Sequence, residues 1–122
     1  MQEEKKGPSA ESREKALAIA QFALDKKAGD VVVLEMHELT SFTDFFVICS
    51  GESTTQVKTI AEHVIESLKA KKIRPSGTEG LSNAKWVLVD YNDVVVHVFE
   101  KDTRQFYELE KLWLDAPRVS VS

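Results

Sequence analysis

Two apolar runs, Trp86–Tyr91 and Val94–Phe99, stand on either side of Asn92 and Asp93. Valine-rich runs joined by two turn-forming residues predict a β-hairpin. Strand alternation puts Trp86, Leu88 and Asp90 on one face, and Val87, Val89 and Tyr91 on the other. Upstream, Val31–Leu34 is short and β-branched and reads as a strand. Phe45–Cys49 is apolar at every position, which suggests a strand covered on both faces. Helices on both sides of the sheet would supply that cover.

Other segments carry the helical period. Val57, Ile60, Ala61, Val64, Ile65 and Leu68 form one continuous stripe. Ser53 and Gln56 match a capping box at its start. Lys69, Lys71 and Lys72 sit in the last turns, where cations favour the helix dipole. An earlier helix carries Ala16, Leu17, Ala20, Ala23 and Leu24, with Ser9 or Ser12 as its cap and Gly29 as its stop. A last helix is expected from an Asp102 cap. It would turn Phe106, Leu109, Leu112 and Trp113 inward and leave Tyr107, Glu108, Glu110 and Lys111 at the side or outside; Pro117 prevents continuation. Residues 73–85 hold two glycines and a proline and read as a loop, with one short strand near Ile73.

The predicted order is helix, strand, strand, helix, hairpin, helix. That describes a mixed-sheet α/β sandwich without the regular βαβ alternation of a doubly wound fold. Residues 1–8 are polar, include Gly7-Pro8 and read as a disordered extension. The domain spans 9–116, and 117–122 form a C-terminal tail.

Composition narrows the function. The chain has 122 residues, 43% of them hydrophobic and 30% charged, with a formal net charge of −4. That suits one domain. Neither half is a basic arm, so nonspecific nucleic-acid binding is disfavoured. Cys49 is the only cysteine, which excludes an internal disulfide and a Cys-based zinc cage. The longest apolar runs fall far short of a membrane span. The N-terminus lacks a signal-peptide core, and its glutamates argue against a transit peptide. The cytoplasm is the expected location.

No complete catalytic motif is present. Ser50-Gly51-Glu52-Ser53 before a helix could cradle a phosphate, but the phosphate-loop lysine motif and the three-glycine fingerprint are absent. A turn with a helix cap is the simpler reading. Strand, small residues and helix also resemble the entry to nucleotidyltransferase domains. Those enzymes need paired carboxylates for magnesium, and the chain has no Asp-x-Asp. Asp90 and Asp93 straddle a turn, a poor geometry for a shared metal. His97, mid-strand, reads as a partly buried, hydrogen-bonded histidine; a general base or pH-sensitive contact is the alternative. Cys49 reads as a buried, inert thiol. Trp86 either offers binding area or packs under the last helix, and the pattern leaves both open.

Five stretches in order resemble the ribosomal silencing factor, or Iojap, family: DFFVICSGES from Asp44, QVKTIAEHV from Gln56, EGLSNAKWVLVDY from Glu79, VVVHVFEKDTRQFY from Val94 and LEKLW from Leu109. The match runs from about Glu14 to Ala116. The resemblance implies a nucleotidyltransferase-like fold without catalytic carboxylates, no cofactor and no metal. It implies a translational repressor that binds ribosomal protein L-fourteen on the large subunit and blocks the small subunit when nutrients are scarce. Carried onto this chain, the contact surface would be Trp86, Leu88, Asp90, Tyr91, Asp93, Tyr107 and Glu110. Trp86 and Leu88 would anchor, and the carboxylates would meet a basic partner. Arg104 and His97 belong to the family pattern, with binding and bracing both open. A homodimer is a further expectation, because apolar hairpins with exposed edges pair. The hairpin departs from the pattern at Asn92, where glycine is commoner; asparagine tolerates the positive φ required. Glu52 replaces a smaller residue. The alternative is a metal-dependent nucleotidyltransferase-like enzyme.

Overall fold

The computed structural model describes residues 9–107 and 115–121. In chain order the elements are α1 (Ala10–Asp25), β1 (Gly29–Glu35), β2 (Phe45–Gly51), α2 (Thr54–Ala70), β3 (Gly77–Glu79), β4 (Trp86–Asp90), β5 (Val94–Glu100), α3 (Lys101–Tyr107) and β6 (Arg118–Val119). The six strands form one mixed sheet in the order β3-β4-β5-β2-β1-β6. Among the described residues, only β2 and β5 pair in parallel.

Two of these strands lie outside the expected order. β3 sits at Gly77–Glu79 rather than beside Ile73, and it pairs with β4 through the main chain alone, all three residues exposed. β6 falls in the segment expected to trail as a tail; Val119 pairs with Val33 and is buried. Neither strand has an apolar period, because each is a sheet edge shaped by its neighbour.

The core explains the all-apolar β2. Phe45, Val47 and Cys49 meet Ile19, Ala20, Ile60 and Val64 from α1 and α2. Both long helices therefore lie on one face, so the helical cover expected on both sides of the sheet does not come from them. Phe46 and Ile48 point the other way, into a layer with Leu34, Val95, Phe99 and Ala116. α3 meets that second side through Arg104, whose Nη1 donates to Ser50 Oγ at 2.7 Å.

Local rules set the helix ends. Ser9 caps α1 by accepting from Ser12 N, and Ser53 caps α2 by accepting from Gln56 N. Gln56 does not complete the box on Ser53. Its Oε1 accepts from Glu52 N at 2.6 Å, and its Nε2 donates to the Lys26 and Lys27 carbonyls. It thus ties the start of α2 to the end of α1. The left-handed residue after α1 is Lys27 (φ 64), not Gly29. Leu24, placed in the α1 stripe by spacing, is exposed. α3 begins at Lys101, so Asp102 lies in its first turn rather than at its cap. Asn92 takes the positive φ (74) that the hairpin turn requires.

Gly80 has φ +89, and a Cβ there would stand 2.1 Å from the Trp86 carbonyl oxygen. Gly80→Ala should cost roughly 2–4 kcal/mol, combining left-handed strain with a backbone clash. Gly77→Ala is the control, since its Cβ would meet nothing within 4 Å. Denaturant melts of the two variants should separate clearly; equal midpoints would contradict this account.

Candidate functional site

The sheet face away from α1 and α2 carries the candidate site. Register puts Trp86 beside Phe99, Leu88 beside His97 and Asp90 beside Val95. β2 continues the layer, with Phe46 beside Val95 and Ile48 beside His97. β4 alternates as a half-buried strand should: Trp86, Leu88 and Asp90 are partly open, Val87 and Val89 buried.

Trp86 packs and presents surface at once. Its ring stacks on Phe99 at 4.8 Å between centroids and 26° between planes. Its Nε1 donates to His97 Nδ1 at 3.2 Å. His97 meets Phe46 edge-on at 4.6 Å. Asp90 faces the same side; its Oδ1 accepts from Asn92 N at 2.7 Å, holding the turn.

The other expected contact residues lie elsewhere. Tyr91 is buried at 4% exposure among the residues that meet α1 and α2, so it offers no area to a partner. Burial pushes its phenol up to about 12. Asp93 turns towards α1, where Oδ2 accepts from Ser12 Oγ at 2.6 Å and Oδ1 from Lys15 Nζ at 2.9 Å. Burial works to raise this carboxyl, but the Ser12 and Lys15 hydrogen bonds and the Lys15 charge outweigh it, so it titrates below its ordinary range. Asp93 is a brace between hairpin and helix. The Tyr107 side chain and all of Glu110 lie outside the described residues.

One exposed residue beside this face had no sequence signal. Phe42, in the β1–β2 loop, is 71% exposed and lines a hollow together with Leu88 and His97. A lone phenylalanine between Ser41 and Thr43 shows no period that would mark it. Cys49, by contrast, is as expected: burial pushes its thiol up to about 12, which keeps it protonated. Among the described residues, no group of three or more His, Cys, Asp or Glu is arranged to hold a metal ion. Among them, too, no helix is long and apolar enough to cross a membrane.

The family model for "ribosomal silencing factor during starvation" matches residues 9–122. The chain belongs to the ribosomal silencing factor family. A ribosomal silencing factor of Halalkalibacterium halodurans is 46% identical over 111 residues, covering 90% of this chain and 95% of that protein. A crystal structure from Bacillus halodurans superposes with a TM-score of 0.76 at 42% identity, covering 92% of this chain and 99% of that one. The mouse protein named mitochondrial assembly of ribosomal large subunit protein 1 is 34% identical over 91 residues. That alignment takes in 72% of this chain and 40% of the mouse protein.

In this chain, His97 braces the hydrophobic face as a neutral ring. Burial pulls it from 6.5 down to about 4. Its folded value lies below its unfolded value, so its contribution to stability is full above pH 6.5 and lost as pH falls towards 4. At 1.36 kcal/mol per tenfold change in proton affinity, that loss is roughly 3 kcal/mol. Chemical denaturation between pH 7 and 4 should show the decline, and His97→Phe should flatten that part of it. An unchanged slope in the variant would contradict the assignment.

Proposed function

We propose that this chain is a non-enzymatic, cytoplasmic repressor of translation. It docks on the large ribosomal subunit through ribosomal protein L-fourteen and stands where the small subunit would join, so that translation falls when nutrients are scarce. In this reading its fold is a nucleotidyltransferase-like sandwich without the catalytic carboxylates. The docking surface is the Trp86, Leu88 and Asp90 face, with Tyr107 and Glu110 included from the sequence alone.

The observation that carries the proposal is the composition of that face. An indole and a leucine lie partly open on a rigid aromatic bed, with a carboxylate beside them. Such a surface supplies large apolar area at small entropic cost. The carboxylate and the net charge of −4 suit a basic partner, because complementary charge speeds docking and fixes register. Steric exclusion needs only affinity and bulk, and about 800 Å² per partner is a standard interface.

Calorimetric titration of the chain into purified L-fourteen tests the assignment. Saturable one-to-one binding whose affinity falls with added salt is expected. A flat titration at both low and physiological salt would overturn the choice of partner.

A further inference from the structure

The connection from α2 to β3 carries the densest run of positive charge in the chain. Lys69, Lys71, Lys72 and Arg74 fall within six residues, and no carboxylate stands between Ser67 and Thr78. All four residues are exposed. Among the described residues none of the four is in an ion pair. Lys71 has a ring contact, its Nζ 5.6 Å from the Phe22 centroid.

Helix-end chemistry explains part of this run. Cations favour the C-terminal end of a helix dipole within its last turn. α1 ends in the same way: Lys26 and Lys27 follow it, and Lys27 is left-handed (φ 64) as Lys72 is after α2 (φ 67). However, Asp25 and Asp30 flank that first pair, while the second cluster has twice as many cations and no carboxylate so close. Arg74 lies beyond the last turn, so the dipole does not account for it.

The run also leads to a particular place. Two residues after Arg74, the Ser76 N–H and hydroxyl donate to the Asp90 carbonyl at 2.7 and 3.1 Å. Asp90 is a corner of the docking face, so the cationic segment reaches the edge of that face. On the α1 side, Lys71 shares a hollow with Glu11 and Glu14, which bounds the patch there.

We propose that Lys69, Lys71, Lys72 and Arg74 bind the phosphate backbone of RNA next to the docking site on the large ribosomal subunit. The inference rests on the large-subunit reading above and adds a second contact, opposite in charge to the first. Chemistry selects the partner. Among the described residues the exposed large hydrophobics are Leu24, Leu39 and Phe42, none of them in this segment. A cationic surface without apolar anchors lacks what a protein hot spot or a membrane-inserted helix needs. Phosphates need charge and N–H donors, which lysine and arginine supply without reading sequence. Four contacts are too few for tight binding by themselves, and the net charge of −4 opposes RNA elsewhere. The patch therefore works as an addition to the protein contact.

The test compares the full chain with two variants against purified L-fourteen, isolated large subunits and a short RNA duplex. The patch variant combines Lys69→Gln, Lys71→Gln, Lys72→Gln and Arg74→Gln, which keeps helix propensity and removes charge. The control combines Lys26→Gln and Lys27→Gln, the same change at the other helix end. The unaltered chain should bind the duplex weakly, losing about 100-fold in affinity between 50 and 200 mM salt, as four phosphate contacts imply. The patch variant should lose duplex binding and hold large subunits about tenfold less tightly at low salt, with a shallower salt dependence. It should bind L-fourteen no less tightly than the unaltered chain, and the control should stay close to the unaltered chain throughout. Circular dichroism checks folding; if the patch variant does not fold, Lys72→Gln with Arg74→Gln should remove about half the salt dependence.

Unchanged subunit affinity and salt dependence in the folded patch variant would overturn the RNA contact, while L-fourteen binding would leave the docking face standing. Weaker binding to L-fourteen itself would assign the cations to the protein partner and overturn the proposal. So would a patch variant that loses only binding to vesicles rich in phosphatidylserine. If the unaltered chain bound neither L-fourteen nor large subunits, the docking face would fall and the duplex would decide the patch alone.

Discussion

Trp86→Ala should weaken binding to large ribosomal subunits by roughly 30- to 1,000-fold, the 2–4 kcal/mol typical of a central aromatic anchor. The cause is loss of the partly exposed indole beside Leu88. The same substitution removes the stack on Phe99 and the donor to His97 Nδ1. Because the ring is only partly buried, about 2 kcal/mol of stability should go with it, less than a core tryptophan would cost. The variant should therefore remain folded at 25 °C, and thermal melting beside subunit pelleting separates the two effects. Trp86→Phe should fall between, keeping apolar area while losing the indole donor. Wild-type pelleting by a folded Trp86→Ala chain would remove Trp86 from the docking face.

Arg104→Ala should be the most destabilising polar substitution among those considered, by about 3–5 kcal/mol. The side chain is 6% exposed, and its Nη1 donates to the Asp30 carbonyl at 2.9 Å and to Ser50 Oγ at 2.7 Å. It joins three elements that are distant in sequence: α3, the irregular start of β1 and the end of β2. The Asp30 carbonyl lies where the β1–β2 register shifts, between Gly29 and Val32. Hydrogen bonds from a charged donor are worth about 1.5–3 kcal/mol each, and truncation leaves both acceptors unpaired. Arg104→Lys should rescue only part, because a single ammonium lacks the planar fork. The expected result in denaturant is a lower midpoint at constant slope. A midpoint within error of the unaltered chain would contradict the bracing role.

Sequence pattern revealed most where a local rule governs the structure. The hairpin follows from two valine-rich runs and a turn pair, and Asn92 does adopt positive φ. Ser9 and Ser53 cap their helices because a side-chain oxygen at that position serves a free N–H nearby. The α2 stripe buries Val57, Ile60, Ala61, Val64 and Leu68 as its spacing requires. Alternation also separated Tyr91 from Trp86: the tyrosine goes inward with Val87 and Val89, and its aromatic character alone does not make it a contact.

What stayed hidden depends on residues far apart in the chain. Asp93 is held by Ser12 and Lys15, 81 and 78 positions away, so no spacing rule could mark it as a brace. The need for Gly80 arises from the Trp86 carbonyl across a turn. Strands β3 and β6 have no period because edge pairing is a main-chain affair. Phe42 was invisible for the opposite reason, since an exposed loop side chain leaves no pattern. His97 stood out as a polar residue in an apolar run. Its partner on the neighbouring strand emerged only from register.

Sedimentation through sucrose is the most direct measurement of the central claim. The chain, mixed with separated ribosomal subunits and raised to saturation, should travel with the large subunit and reduce the fraction of joined ribosomes. Recovery at the top of the gradient, with subunit joining unchanged, would contradict it.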